Sequence, residues 1–399
     1  MSLLLIQGVR LFDGEELLPG ERSVIVRDGR IEQVAEPAQI PEAVHAEARA
    51  DSTLIEAAGA TLLPGLIDLH VHLIWDGSDD PVRSLALESP EQTLLKGVGF
   101  TRQTLRAGIT TVRDLGSIDD QAIRLAEAVE RGWIEGPRVI ASGRTIVMTG
   151  GHDPFWGLPV DGPVEALKAV RTQLFAGARV IKVSATGGVY GRPEGESVDD
   201  VELLPDELQA IAEQAHRRGV RVAAHAIGRQ GIQNSIDAGI DTIEHGHFLT
   251  PEQAQTMAER SMALIPTLYV YQNLAENPAI PAYARTKARE VIERHQQAFA
   301  DARSAGVLIG AGSDAGSPET PHPALIEEIE ALVNGGMSRT AALRAATADA
   351  ARILDLDAEI GLIRPGHRAD LTLVDGDPTI DLAALRRVRH VIQDGSIRV

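Results

Sequence analysis

Residues 61–73 read TLLPGLIDLHVHL. An apolar run, Leu66-Ile67-Asp68-Leu69, leads into His70-Val71-His72. Side chains on a strand alternate between faces, so His70 and His72 point the same way. Two imidazoles projecting from the end of a buried strand can bind one metal ion. Two core histidines satisfied by backbone carbonyls would leave the same pattern. Partners at other strand ends separate the two readings.

The middle of the chain alternates strand and helix. Apolar, β-prone runs occur at 66–73, 110–116, 138–143, 180–187, 220–228, 241–246, 263–268 and 307–314. Helical stretches with signed ends lie between most of them. In 163–176, Val164, Leu167, Val170 and Leu174 recur at helical spacing and Gly177 marks the stop. Thr250, Pro251 and Gln253 form a capping box at the head of another helix. A third, 205–218, begins with Pro205 and ends before Gly219. Eight strands too apolar for a one-sided sheet, alternating with helices, predict an α/β fold of the (β/α)8 TIM-barrel type. A doubly wound open sheet is the alternative. The two ends differ in character, with short strands and Asp-Gly turns at Asp28-Gly29 and Asp394-Gly395. These predict a small β-sandwich from residues 1–62 and 359–399, around a barrel over 63–358.

Composition narrows the chemistry. The 399 residues carry 38 basic and 57 acidic side chains, a net charge of −19, which argues against nucleic-acid or anionic-membrane partners. With no Cys, any metal must be held by His, carboxylate or a less usual donor. The first residues lack a basic region and a long apolar run, so a cytoplasmic protein is expected.

In a TIM barrel the reacting groups sit at the C-terminal ends of the strands. Polar residues recur there. Strand one ends in His70 and His72, strand four carries Lys182, strand five His225, strand six His245 and strand eight Asp314. Four of these six are His, out of 12 in the chain. Lys182 lies among Val180, Ile181 and Val183, where a lone ammonium is costly and tends to neutralise. A neutral amine can add carbon dioxide and become an anionic, bidentate carbamate. His247 follows His245 by two residues, and spacing alone does not choose between them. Gly310-Ala311-Gly312 is a poor nucleotide loop, because SPETPHP follows it instead of a helix.

PGLIDLHVHL, VIKVSATGG, the His-bearing strands five and six, GSD, and the closing EIGLIRPGHRADLTLVDGDP together resemble the amidohydrolase superfamily of metal-dependent hydrolases. Within it, TGGH at 149–152, the Lys-bearing strand and EHG are similar to the prolidase-annotated dipeptidases. The likeness spans nearly the whole chain, except that the segment after TGGH, DPFWGLPVDG, is shorter than in relatives. The resemblance implies that His70, His72 and Asp314 bind one divalent ion, His225 and His245 a second, and carboxylated Lys182 bridges them. Zinc suits such a donor set, with Mn or Fe able to substitute. It also implies that a bridging hydroxide attacks the scissile carbonyl, while Asp314 takes the water's proton and returns it to the departing amine. A homo-oligomer is implied by the same likeness.

Substrate contacts are expected from loops. His152, in the loop after strand three, either donates to the carbonyl oxygen or oxyanion or is a loop His in solvent. Tyr190 and Arg192 follow strand four and could grip a carboxylate, with a surface salt bridge the alternative for Arg192, and His322 either lines the mouth or is exposed. Trp156 is either a lid wedge or a packed anchor. The leading function is cleavage of an amide bond in a dipeptide or N-acyl amino acid. A cyclic amide, carbamate, urea or lactone substrate is the alternative, and a retired binding or assembly protein the third.

Overall fold

The computed structural model describes residues 2–192 and 195–399. Two compact units divide them, one of residues 68–101 and 112–336, the other of 1–67, 102–111 and 337–399.

All eight expected barrel strands form. They are Leu66–Val71, Ile109–Asp114, Arg138–Ala141, Ile181–Ser184, Val222–Ala226, Thr242–His245, Ala263–Ile265 and Leu308–Ile309. Strands four to eight pair in sequence order, each parallel to the next. Every residue of strands one, two, four, five, six and seven is buried, as a sheet covered on both faces requires. The ring closes where Leu69 N–H donates to Ala311 O at 2.9 Å and Asp314 N–H donates to His70 O at 2.8 Å.

Strand three departs from the single run expected at 138–143. It ends at Ala141, and Gly143 turns the chain with φ +70. That φ is one that side chains with a Cβ rarely adopt, which favours glycine at this bend. The chain resumes as Ile146–Met148, which pairs with strand four and with Leu158–Val160. This break places the loop 149–157, with His152, beside strand four.

The signed helices form where the sequence places them. One runs Pro163–Ala176 and stops at Gly177, φ +109. Another runs Pro251–Glu259, with both bonds of the Thr250–Gln253 capping box present. A third runs Pro205–His216. The longest, Ala282–Ala305, brings His295 into the interior and Lys287 to the loop after strand four. None of the described helices is long and apolar enough to cross a membrane.

The other unit is built on an eight-stranded sheet. Its strand Leu3–Leu11 pairs with Arg22–Arg27 from Leu3 to Val9, with Leu54–Glu56 from Leu5 to Gln7, and with Ala60–Pro64 through Arg10 and Leu11. Gly8, φ +73, sits at the register shift between the halves. Ala60–Pro64 pairs antiparallel with Leu371–Asp375, which joins the two ends of the sequence. Both Asp-Gly turns adopt positive φ at both residues, the hairpin geometry their sequence favours. This unit is wider than the terminal segments alone. Gly108 O accepts from Thr372 Oγ1 at 2.7 Å, and Thr347 Oγ1 donates to Gly14 O at 3.3 Å.

Candidate active site

The C-terminal ends of the barrel strands surround a pocket lined by His70, His72, His152, Lys182, His225, His245 and Asp314. Side-chain alternation on strand one places the first two rings side by side, with centroids 5.3 Å apart. The His245 ring is 5.2 Å from His70 and 4.8 Å from His225. Asp314 Oδ1 lies 3.3 Å from His72 Nε2 and 3.7 Å from His70 Nε2. Among the described residues, His70, His72 and Asp314 are the group of three whose donor atoms could converge on one ion.

Each imidazole has one nitrogen held by the protein. His70 Nδ1 pairs with Glu244 Oε2 at 2.9 Å, His72 Nδ1 with Gly116 O at 3.2 Å, and His245 Nδ1 with Thr267 Oγ1 at 2.8 Å. His225 is held the other way round, with Nε2 on Gly187 O at 3.1 Å. Such bonds fix ring orientation and tautomer, and they leave the second nitrogen available to a cation. The donor set therefore fits divalent metals.

The electrostatics agree for three of the four rings, while at His72 burial is outweighed by Asp314, which raises its pKa. Burial holds the pKa values of His70, His225 and His245 well below the usual imidazole range, so the rings are neutral and their lone pairs available. Burial also lowers Lys182, against the pull of Glu244, Asp153 and Asp314. Burial alone would raise Asp314, but His70, His72 and Lys182 outweigh it and keep the carboxyl ionised. Two of these residues, His245 and Asp314, hold left-handed backbone at φ 70 and φ 56, an uncommon conformation outside glycine.

The backbone also separates His245 from His247. Strand six ends at His245 and Gly246 has φ +66, so the alternation that would align the two histidines is lost. The His247 ring instead stacks on His295 at 3.7 Å, outside the pocket lining.

The loop residues divide. His152 lines the pocket, its ring 4.3 Å from that of His225. Its Nδ1 pairs with Glu196 at 2.7 Å, and its Nε2 lies 3.3 Å from Asp153. Burial opposes charge on His152, but Asp153, Glu196 and Glu202 outweigh it and raise its pKa to about 9. Tyr190 also lines the pocket, with its hydroxyl donating to Asp80 at 2.6 Å. Arg192 does not line it, because its guanidinium is bound to Gly150 O. Nor does His322, which is buried with Nε2 donating to His72 O at 3.1 Å and its ring on Phe100. Trp156 is a packed anchor, 1% exposed and stacked on His72 at 4.8 Å.

Several residues at the site went unread in the sequence. Glu244, 0% exposed, joins His70 to Arg113. Asp153, Trp75 and Tyr271 line the pocket. A charge inside an apolar strand was the available signal for Arg113 and Glu244.

Residues 61–398 match the Amidohydrolase family. The chain belongs to this family. It is accordingly a metal-binding hydrolase of amide carbon–nitrogen bonds. It is 29% identical to the ochratoxinase of Aspergillus niger, over 99% of this chain and 85% of that one. A crystal structure of a Xaa-Pro dipeptidase with bound methionine superposes with a TM-score of 0.89 at 30% identity, covering 99% of both chains. A prolidase complexed with N-methylphosphonate-L-proline gives 0.89 at 28% identity, again over 99% of both.

Proposed function

We propose that this amidohydrolase is binuclear and cleaves the amide bond of a dipeptide or N-acyl amino acid. One observation carries the reading. Four imidazoles in one pocket each have one nitrogen pinned and the other available, around Asp314 and Lys182. His70, His72 and Asp314 would hold one ion and His225 and His245 the second, with Lys182 as the bridge. Burial favours the neutral amine at Lys182, the form that adds carbon dioxide to become a carbamate. Nitrogen and oxygen donors without thiolate suit zinc. Bound there, the ions supply Lewis acidity, polarising the scissile carbonyl and lowering the pKa of water.

The chain's own groups do the rest. Asp314, ionised at rest, takes the proton of the attacking water and passes it to the departing amine nitrogen. Among the described residues, His152 Nε2 is held only by the 3.3 Å contact to Asp153 and is available to donate to the carbonyl oxygen. The dipeptidase and prolidase structures support the substrate class.

Reconstitution with zinc and bicarbonate should give two ions per chain by elemental analysis. Replacing His70 and His72 together with Ala should remove one ion and the activity while leaving the circular dichroism unchanged. If the zinc-loaded protein cleaves no dipeptide and no N-acyl amino acid, but opens a cyclic amide, urea or lactone, the proposed substrate class is wrong.

A further inference from the structure

One carboxylate in the pocket has no task in the chemistry above. Asp153 is 8% exposed, lines the pocket, and holds left-handed backbone at φ 60. Its Oδ1 lies 3.3 Å from His152 Nε2. Among the described residues no hydrogen bond and no other ion pair holds that carboxylate. Glu244, by contrast, is fully engaged by Arg113, Thr242 and His70.

Among the described residues, the cations near Asp153 already have tasks: Lys182, which lines the same pocket and feels its charge, is assigned to the ions above, and His152 is its own ion-pair partner. His152 Nδ1 is taken by Glu196 at 2.7 Å, and its backbone N–H donates to both oxygens of Glu202 at 2.8 Å. Lys287 Nζ donates to the carbonyls of Gly188 and Arg192, each at 3.3 Å, and lies 3.5 Å from Glu196. The Arg192 guanidinium is bound to Gly150 O. A substrate carboxylate on this side would face the Asp153 charge, while Arg192 and Lys287 are bonded to backbone carbonyls. A buried charge is tolerated only with a partner, and His152 is the ion-pair partner of Asp153, so once a substrate carbonyl takes that N–H the carboxylate needs a cation or a neutral donor in its place.

Geometry narrows the class further. His152 Nε2–H and Asp153 Oδ1 form a donor and an acceptor 3.3 Å apart. An α-aminoacyl group presents the complementary pair at short range. Its carbonyl oxygen accepts, and its ammonium, on the carbon next to the carbonyl, donates. The carbonyl would take the His152 N–H, which frees Asp153 for the ammonium. N-acylation removes that charge and adds bulk at the nitrogen. Trp75, Tyr190 and Leu274, which also line the pocket, would surround the residue's side chain.

We propose that Asp153 binds the free α-amino group of the acyl half of the substrate, so that the enzyme prefers unblocked α-aminoacyl amides to their N-acylated counterparts. This narrows the amide-hydrolase reading and rests on it.

The test compares leucine anilide, N-acetylleucine anilide and N-acetylleucine as substrates of the zinc-loaded protein and of Asp153→Asn. A charge-assisted hydrogen bond corresponds to a preference of about ten- to hundredfold in kcat/KM for leucine anilide over its acetylated form. Asp153→Asn should shrink that ratio to within a few fold with zinc content unchanged. The proposal is overturned if the acetylated anilide is cleaved as well or better, or if Asp153→Asn keeps the ratio. If N-acetylleucine alone is cleaved, the amine assignment fails and the amide-hydrolase reading stands. If no compound is cleaved, that reading fails for these substrates. Calorimetric titration with leucinamide and N-acetylleucinamide then decides the role of Asp153. Tighter binding of leucinamide, lost in Asp153→Asn, supports it, and equal binding overturns it.

Discussion

Glu244 and Arg113 form a buried ion pair whose removal should separate two roles, holding the barrel and holding His70. Arg113 is 2% exposed and Glu244 0%. Arg113 Nη2 donates to both Glu244 oxygens at 2.8 and 3.0 Å, and its Nε donates to Leu69 O at 2.6 Å. Thr242 Oγ1 and His70 Nδ1 complete the shell at 2.5 and 2.9 Å. Glu244→Leu leaves the guanidinium buried without its anion, which costs about 3–5 kcal/mol. Adding Arg113→Met removes the stranded charge, so the double variant should recover most of that stability. Neither variant gives His70 an acceptor, so in both the affinity for zinc should fall about 10- to 100-fold. Urea unfolding of the metal-free proteins measures the first effect, and competition with a chromogenic chelator the second. The reasoning is refuted if Glu244→Leu costs under about 1 kcal/mol, or if the double variant binds zinc like the parent.

Two further perturbations follow from the same packing. Burial raises the Glu328 carboxyl to about 8, against the N–H groups of Leu268 and Tyr269 that favour its charge. A folded pKa above the unfolded value of 4.5 gives stability that is full below that pH and lost as pH rises towards 8. The parent minus Glu328→Gln difference in unfolding free energy should therefore fall by several kcal/mol across that window and level off above it. A flat difference would contradict the burial argument. Trp156→Ala removes the ring stacked on His72 and should cost about 3–5 kcal/mol, with faster release of zinc to a chelator.

The barrel and the six polar strand-end residues were legible because strand alternation and burial are local properties. A His or Lys in an apolar run of six has few directions in which to point. The loops lacked that constraint. Arg192 and His322 both follow barrel strands, yet one is drawn to the Gly150 carbonyl and the other to the His72 carbonyl, contacts separated by 42 and 250 positions in sequence. The Arg113–Glu244 pair spans 131 positions, so nothing near either residue names its partner. The choice between His245 and His247 stayed open for another reason. Alternation holds only while the strand continues, and the glycine turn ends it one residue after His245.

The ring nitrogens carry a last consequence, because the two histidines proposed for the second ion are held in opposite senses. His225 gives Nε2 to Gly187 O at 3.1 Å and leaves Nδ1 for the ion. His245 gives Nδ1 to Thr267 Oγ1 at 2.8 Å and leaves Nε2. An Asn carboxamide places its oxygen near the position of Nδ1, whereas Gln reaches towards Nε2. His225→Asn should therefore retain zinc better than His225→Gln, while His245→Gln should retain it better than His245→Asn. About a tenfold difference in Kd within each pair corresponds to roughly 1.4 kcal/mol, well within reach of competition titration. The crossed order is the diagnostic. A merely space-filling role would rank both positions alike, and the same preferred replacement at His225 and His245 would refute the opposed orientation of the two rings, since one side chain cannot imitate both nitrogens.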